Sequence, residues 1–214
     1  MSTVLDVIGV LALVLSAAVG CGRDDTCFVG DEGLEPEIEI VYRSVDGRVT
    51  DIVSGGEIPL IQPPQGGRVI LVSARVRNFN RCNAQITARL IDPCNDVVIA
   101  AEVRTVTLIE DGSGGAVPYQ PAELQNYANL LACPAVGAER DVEGEPYVIE
   151  ISMIDANGRR ASAELDVVPV CAEPELEDQC KCVCDEEQPC TPDIDGGPPP
   201  GTCSADAGPP DSGP

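Results

Sequence analysis

Apolar and polar residues alternate with a period of two through most of residues 37–170, the spacing that lines every second side chain along one face of a strand. Glu37 to Arg43 sets Ile38, Ile40 and Tyr42 against Glu37, Glu39 and Arg43. Arg68 to Arg77 is the clearest case, with Ile70, Val72, Ala74 and Val76 directed inward and Ser73, Arg75 and Arg77 toward water. Ala84 to Ile91 repeats the pattern with Ile86, Ala88 and Leu90 inside. Val97 to Leu108 loses phase near Thr105–Thr107, as a β-bulge would cause. Tyr147 to Asp155 aligns Ile149, Ile151 and Met153, and Arg159 to Val168 aligns Ala161, Ala163, Leu165 and Val167. Asp46-Gly47 and Asn157-Gly158 read as two-residue hairpin turns, since both positions favour positive φ. Arg48 to Val53 is then the strand returning from the first turn.

One segment departs from this period. Pro121 to Ala132 places Leu124, Tyr127, Ala128 and Leu131 at helical spacing behind an early proline, which predicts a short helix across one end of the body. The fold class expected is mainly β: an antiparallel sandwich of about seven short strands with one short helix. By pattern alone it resembles the immunoglobulin-like and fibronectin-like sandwiches. The chain has no tryptophan, with four Tyr and two Phe as its aromatic residues, so Val, Ile, Leu and Ala must fill the core.

The N-terminus changes the picture from fold to location. Val7 to Val19 is an apolar run broken only by Gly9 and Ser16. It is short for a membrane span, which needs about 20 residues, and reads as a signal-peptide core. The following Ser16-Ala17-Ala18-Val19-Gly20-Cys21 resembles the lipobox of bacterial envelope lipoproteins. That resemblance implies cleavage before Cys21 and lipidation of Cys21. Gly20-Cys21 matches well, Ala18 stands where Leu is commonest, and residues 1–6 carry no Lys or Arg. The organisation expected is a signal peptide over 1–20, a polar tether over 21–36, the β domain over 37–170 and a tail over 171–214.

The tail is set apart by composition. It holds nine of the 19 prolines and six of the 11 cysteines, with 11 acidic residues against Lys181 alone. Such a segment buries too little apolar surface to offset its chain entropy, so it is expected to be partly disordered. Asp195-Gly196-Gly197-Pro198-Pro199-Pro200 and Asp206-Ala207-Gly208-Pro209-Pro210-Asp211 are similar in composition to spacers of surface lipoproteins.

Eleven cysteines are an odd number, and setting Cys21 aside as lipid carrier leaves ten for pairing. The disulfide candidates are Cys27, Cys82, Cys94, Cys133, Cys171, Cys180, Cys182, Cys184, Cys190 and Cys203. Cys82 and Cys94 flank the strand Ala84–Ile91, which spans about 25 Å, whereas a disulfide needs Cα atoms within about 7 Å. They should bond to different partners. The four body cysteines and the six tail cysteines are both even sets, so each is expected to pair internally, with Cys82 to Cys133 and Cys27 to Cys94. The Cys180-Lys181-Cys182-Val183-Cys184 run resembles metallothionein repeats, and a metal-handling role for the tail is the alternative reading. Export favours a disulfide knot over thiolate ligands.

Charge and missing residues narrow the function. The net charge is −23, and removal of residues 1–20, whose single charged residue is Asp6, leaves −22. Such a surface repels phosphate backbones, so nucleic acid is not a partner. The chain contains no histidine, which excludes Ser-His-Asp and Cys-His catalysis and histidine-ligated zinc. No enzyme activity and no cofactor are expected. Asp111-Gly112-Ser113-Gly114-Gly115 and Asp155-Ala156-Asn157-Gly158 read as turns, because neither matches a calcium loop and Ser113 has no histidine base. Arg75, Arg77, Arg81 and Arg89 read as outward residues paired with carboxylates. The function expected is a lipid-anchored interaction or structural protein of the cell envelope, held to a membrane by lipid and meeting a protein or polysaccharide partner.

Overall fold

The structure, a computed structural model, describes residues 27–119, 124–135, 138 and 140–184. Its strands in chain order are β1 (Phe28–Val29), β2 (Glu37–Arg43), β3 (Val49–Asp51), β4 (Gly56–Leu60), β5 (Arg68–Arg77) and β6 (Phe79–Asn80). They continue with β7 (Ala84–Asp92), β8 (Val97–Val106), β9 (Leu108–Glu110), β10 (Gly115–Pro118), β11 (Ala128–Cys133), β12 (Tyr147–Ile154) and β13 (Arg160–Cys171). One helix, α1 (Glu177–Cys184), follows. The chain is mainly β, and its strand pairs are antiparallel except β4 with β13.

Two sheets enclose one core. The first runs β3-β2-β5-β10-β9, with β11 also paired to β5; the second runs β4-β13-β12-β7-β8. β5 serves two neighbours along one edge: Val76 and Arg77 pair with β10, while residues 68–72 pair with β11. The inward residues predicted for β5, β7 and β12 are fully buried, among them Ile70, Val72, Ile86, Leu90, Ile149, Ile151 and Met153. Alternation alone directed them there, because one face of each strand must leave water.

Three sequence expectations about the strands are corrected. Ser73 is fully buried, not solvated: it lies on the outer face of β5, where Val69 and Leu71 form a second apolar cluster with Ile61 and Tyr127. The helix expected over Pro121–Ala132 is a 3-10 turn at Leu124–Asn126 followed by β11; residues 120–123 lie outside the described residues. Ala128, Leu130 and Ala132 also alternate, and the free edge of β5 selected that period by supplying hydrogen bonds and core contact together. The phase slip at Thr105–Thr107 is a change of sheet rather than a bulge: β8 pairs with β7, and β9 pairs with β10 in the other sheet. The register shift in this strand lies earlier, where Leu90 faces Ala100 and Ile91 faces Val98.

The hairpins are also built differently from the expectation. Gly47 has φ +85° and Gly158 φ +80°, but neither Asp46 nor Asn157 has positive φ. In the first turn Gly47 N donates to Ser44 O and Ser44 N to Arg48 O; in the second, Gly158 N donates to Asp155 O and Asp155 N to Arg159 O. Each is a type I turn closed by a glycine in the left-handed region, the three-residue solution.

Candidate functional site

Strand directions give the body two distinct ends. β12 and β13 pair from Ile154↔Arg160 to Tyr147↔Val167, so the Asp155–Arg159 turn and Cys171 lie at opposite ends. Twelve residues of β13 separate them by about 40 Å.

The first end holds the described N-terminus. Cys27 is bonded to Cys82 with Cα atoms 5.3 Å apart, and β1 pairs with β6 beside them. Asn78 accepts from Asp31 N (2.9 Å) and donates to Glu35 O (3.0 Å). The Arg159 guanidinium donates to Asn78 O (2.8 Å) and to Leu34 O, and lies 5.5 Å from the Phe28 ring centroid. The buried Asp155 carboxylate accepts from Asn157 N, Arg159 N and Asn80 N, joining the turn to β6. Residues 27–36 of the predicted tether are therefore fastened to the body.

The opposite end gathers the C-terminal cysteines. Cys171 is bonded to Cys180, and Cys133 to Cys184. Cys94 and Cys182 are also in disulfides. Cys180 and Cys184 stand four apart on α1, one face of a helical turn, and both are buried. The sulfurs of Cys171, Cys180 and Cys184 lie within 4.8 Å of one another. Glu177 and Asp178 sit in the first turn of α1, where the helix dipole favours acids, and Lys181 Nζ lies 2.6 Å from Glu177 Oε1.

Internal pairing within each cysteine set is thus overturned. Cys82 bonds to Cys27 rather than Cys133, and Cys133 bonds across the boundary at residue 170 to Cys184. Parity carried no information about which end of a strand each thiol occupies. The reasoning from strand length was sound for Cys82 and Cys94, which are not bonded to each other. Cys21, Cys190 and Cys203 lie outside the described residues.

A buried arginine, Arg68, and a mostly buried one, Arg140, brace the same end. Arg68, 1% exposed, donates to Leu176 O (3.3 Å) and lies 3.9 Å from Glu173 Oε2, which itself accepts from Gln62 N (2.8 Å). Arg140 contacts Asp92 Oδ1 at 3.0 Å and Glu145 Oε2 at 3.2 Å, donates to Pro146 O, and lies 4.5 Å from the Tyr147 ring centroid. The Tyr147 hydroxyl donates to Asp141 O (3.2 Å). Sequence reasoning missed both arginines. The available signal for Arg68 was its place at the start of a strand buried on both faces.

A shallow groove of ≈ 430 Å³ lies at this end, lined by Tyr42, Asp46, Glu57, Pro59, Val170 and Ala172 among others. Arg48 and Ser44, hydrogen-bonded to Asp46, pull its carboxyl from 3.8 down to about 2. The carboxylate is therefore favoured in the folded chain, and its contribution is present above pH 3.8 and lost as pH falls toward 2. We expect the Asp46 side-chain carbon resonance to titrate with a midpoint near 2. In Arg48→Ala the midpoint should move back toward the ordinary value; an unchanged midpoint would refute the pairing.

The remaining predicted positions are turns and ion pairs. Asp111 Oδ1 accepts from Ser113 N and Oγ and from Gly115 N, which closes the loop on itself. Arg75 pairs with Glu39 (3.0 Å) and Asp51 (2.8 Å), Arg81 with Glu110 (3.3 Å) and Arg89 with Glu150 (3.4 Å). Arg77 is exposed at the end of β5. Among the described residues no helix is long and apolar enough to cross a membrane. The chain matches no protein-family model and no curated protein.

Proposed function

We propose that the chain is a lipid-anchored protein of the bacterial cell envelope whose β body, of the immunoglobulin-like kind, is an interaction or structural module rather than an enzyme. The observation that carries this reading is the cysteine chemistry: all eight described cysteines are in disulfides, the state that oxidising compartments preserve. The parallel pairing of β4 with the last strand, and the passage of β8 and β9 from one sheet to the other, support the immunoglobulin-like reading.

The two ends of the body suit display from a membrane. With Cys21 lipidated, only residues 22–26 separate the anchor from the fastened Cys27, a reach of about 20 Å. The Cys27–Cys82 end then faces the lipid and the groove beside Tyr42 faces outward. The partner is a protein or polysaccharide meeting that outer end, because the net charge of −22 on the processed chain repels nucleic acid and anionic headgroups. The absence of histidine from the sequence and the engagement of the single lysine, Lys181, with Glu177 support a non-catalytic role.

Fractionation of Cys21→Ser tests the anchor. Wild type should be recovered from membranes as a processed, acylated chain by intact mass, and the variant as an uncut or soluble one. A processed variant that still partitions with membranes would overturn the reading.

A further inference from the structure

The geometry points to a second use for four of the sulfurs: in the reduced chain Cys133, Cys171, Cys180 and Cys184 form a tetrathiolate site for one Zn²⁺ ion. This goes beyond the anchored-module reading and does not depend on Cys21. It also differs from a tail-only metal site, because it draws Cys133 from β11, Cys171 from β13 and two ligands from α1.

Proximity is the first support. Three of the sulfurs already lie within 4.8 Å of one another, and the fourth, Cys133 Sγ, is bonded to Cys184 Sγ. A tetrahedral site with Zn–S bonds of about 2.3 Å needs sulfurs about 3.8 Å apart. The Cα separations of 4.9 and 5.8 Å within the two pairs leave that spacing within reach of side-chain rotation. Cys133, Cys180 and Cys184 are 0%, 2% and 6% exposed, so the ion would be shielded from water.

Arg68 is the second support. It stands opposite Cys133 in the β5–β11 register and is 1% exposed; its Nε has no hydrogen-bond partner, and its Nη1 meets Glu173 Oε2 only at ion-pair distance, 3.9 Å. A buried guanidinium donor without a hydrogen bond is costly, and a thiolate at Cys133, across the strand pair, would offer it an acceptor. The cation also offsets part of the net −2 charge of a zinc tetrathiolate.

The chemistry balances with a named reductant. A water-soluble phosphine reduces each disulfide to two thiols, taking the oxygen of one water to become its oxide. Zn²⁺ then forms four Zn–S bonds and displaces four protons. In this form the metal replaces the two covalent staples and holds α1 to the body before oxidation.

The test uses the full chain, fully reduced with phosphine, with Zn²⁺ as ligand and cysteine alkylation mapped by mass spectrometry. With zinc at a hundred times Kd, the four cluster cysteines should alkylate about 100-fold more slowly than without it. Cys94, Cys182, Cys190 and Cys203 should show no comparable protection. Co²⁺ should give the visible absorption of a tetrahedral thiolate complex, one ion per chain. This must persist when those four other cysteines are changed to Ser and be lost in Cys171→Ser/Cys184→Ser. Arg68→Met should weaken the ion by about tenfold or more. Protection absent from the cluster, or shared equally with the other tail cysteines, overturns the proposal.

Discussion

Aspartates introduced together at Val72 and Ile151 are expected to leave the chain unfolded at room temperature. The two side chains are fully buried, on β5 and β12 in opposite sheets, and both belong to the core between them. Burying an unpaired carboxylate costs several kcal/mol even after relaxation. Two such costs match the whole stability of an ordinary domain, about 5–15 kcal/mol. The disulfides do not prevent this, since they restrict the unfolded chain without solvating a buried charge. Far-UV circular dichroism under non-reducing conditions should lose the β signal. Val53→Asp with Val103→Asp is the control, because those side chains are 76% and 59% exposed; its spectrum should match wild type. A folded double core variant would refute the strand phases.

Arg140→Met is expected to destabilise the body by about 3–5 kcal/mol, the range for breaking a buried ion pair by removing one partner. The side chains of Arg140, Asp92 and Glu145 are 12%, 2% and 8% exposed, so solvent screens the network little. Removal of the guanidinium leaves two carboxylates in the interior and deletes the contact with Tyr147. Asp92 Oδ1 also accepts from Cys94 N, which couples the loss to the turn after β7. Adding Asp92→Asn and Glu145→Gln should recover most of the stability, since neutral amides keep an acceptor oxygen without the stranded charge. Denaturant midpoints at constant m-value measure both effects. A loss below about 1 kcal/mol in the single variant would mean that the network behaves as an exposed surface pair.

The period-two reading was most accurate where one face of a strand meets the core and the other meets water, as in β7 and β12. It failed on the outer face of β5, where Ser73 is polar yet buried. Composition misled in the tail, where prolines and acids drew attention away from Glu177–Cys184. Cys180 and Cys184 share a helical face, and that spacing was legible. Their partners on β11 and β13 were not.

By itself, the sequence determined what is local. Alternation fixes the face of each strand because the pleat repeats every two residues, and Asp-Gly and Asn-Gly mark the hairpins because glycine tolerates positive φ. The excess of acid over base and the absence of histidine follow from composition alone. Tertiary structure decided the rest. Residues 128–133 could follow either period until the open edge of β5 offered them backbone partners. Thr107 became a crossing point because β7 and β10, its flanking strands' partners, belong to different sheets. Cysteine pairing depended on which end of the body each strand delivers its thiol to. The charge on Arg140 became a brace because folding brought Asp92 and Glu145 out of water beside it. Period and turn chemistry act over a few residues, whereas pairing, burial and charge neutralisation depend on groups far apart in the chain.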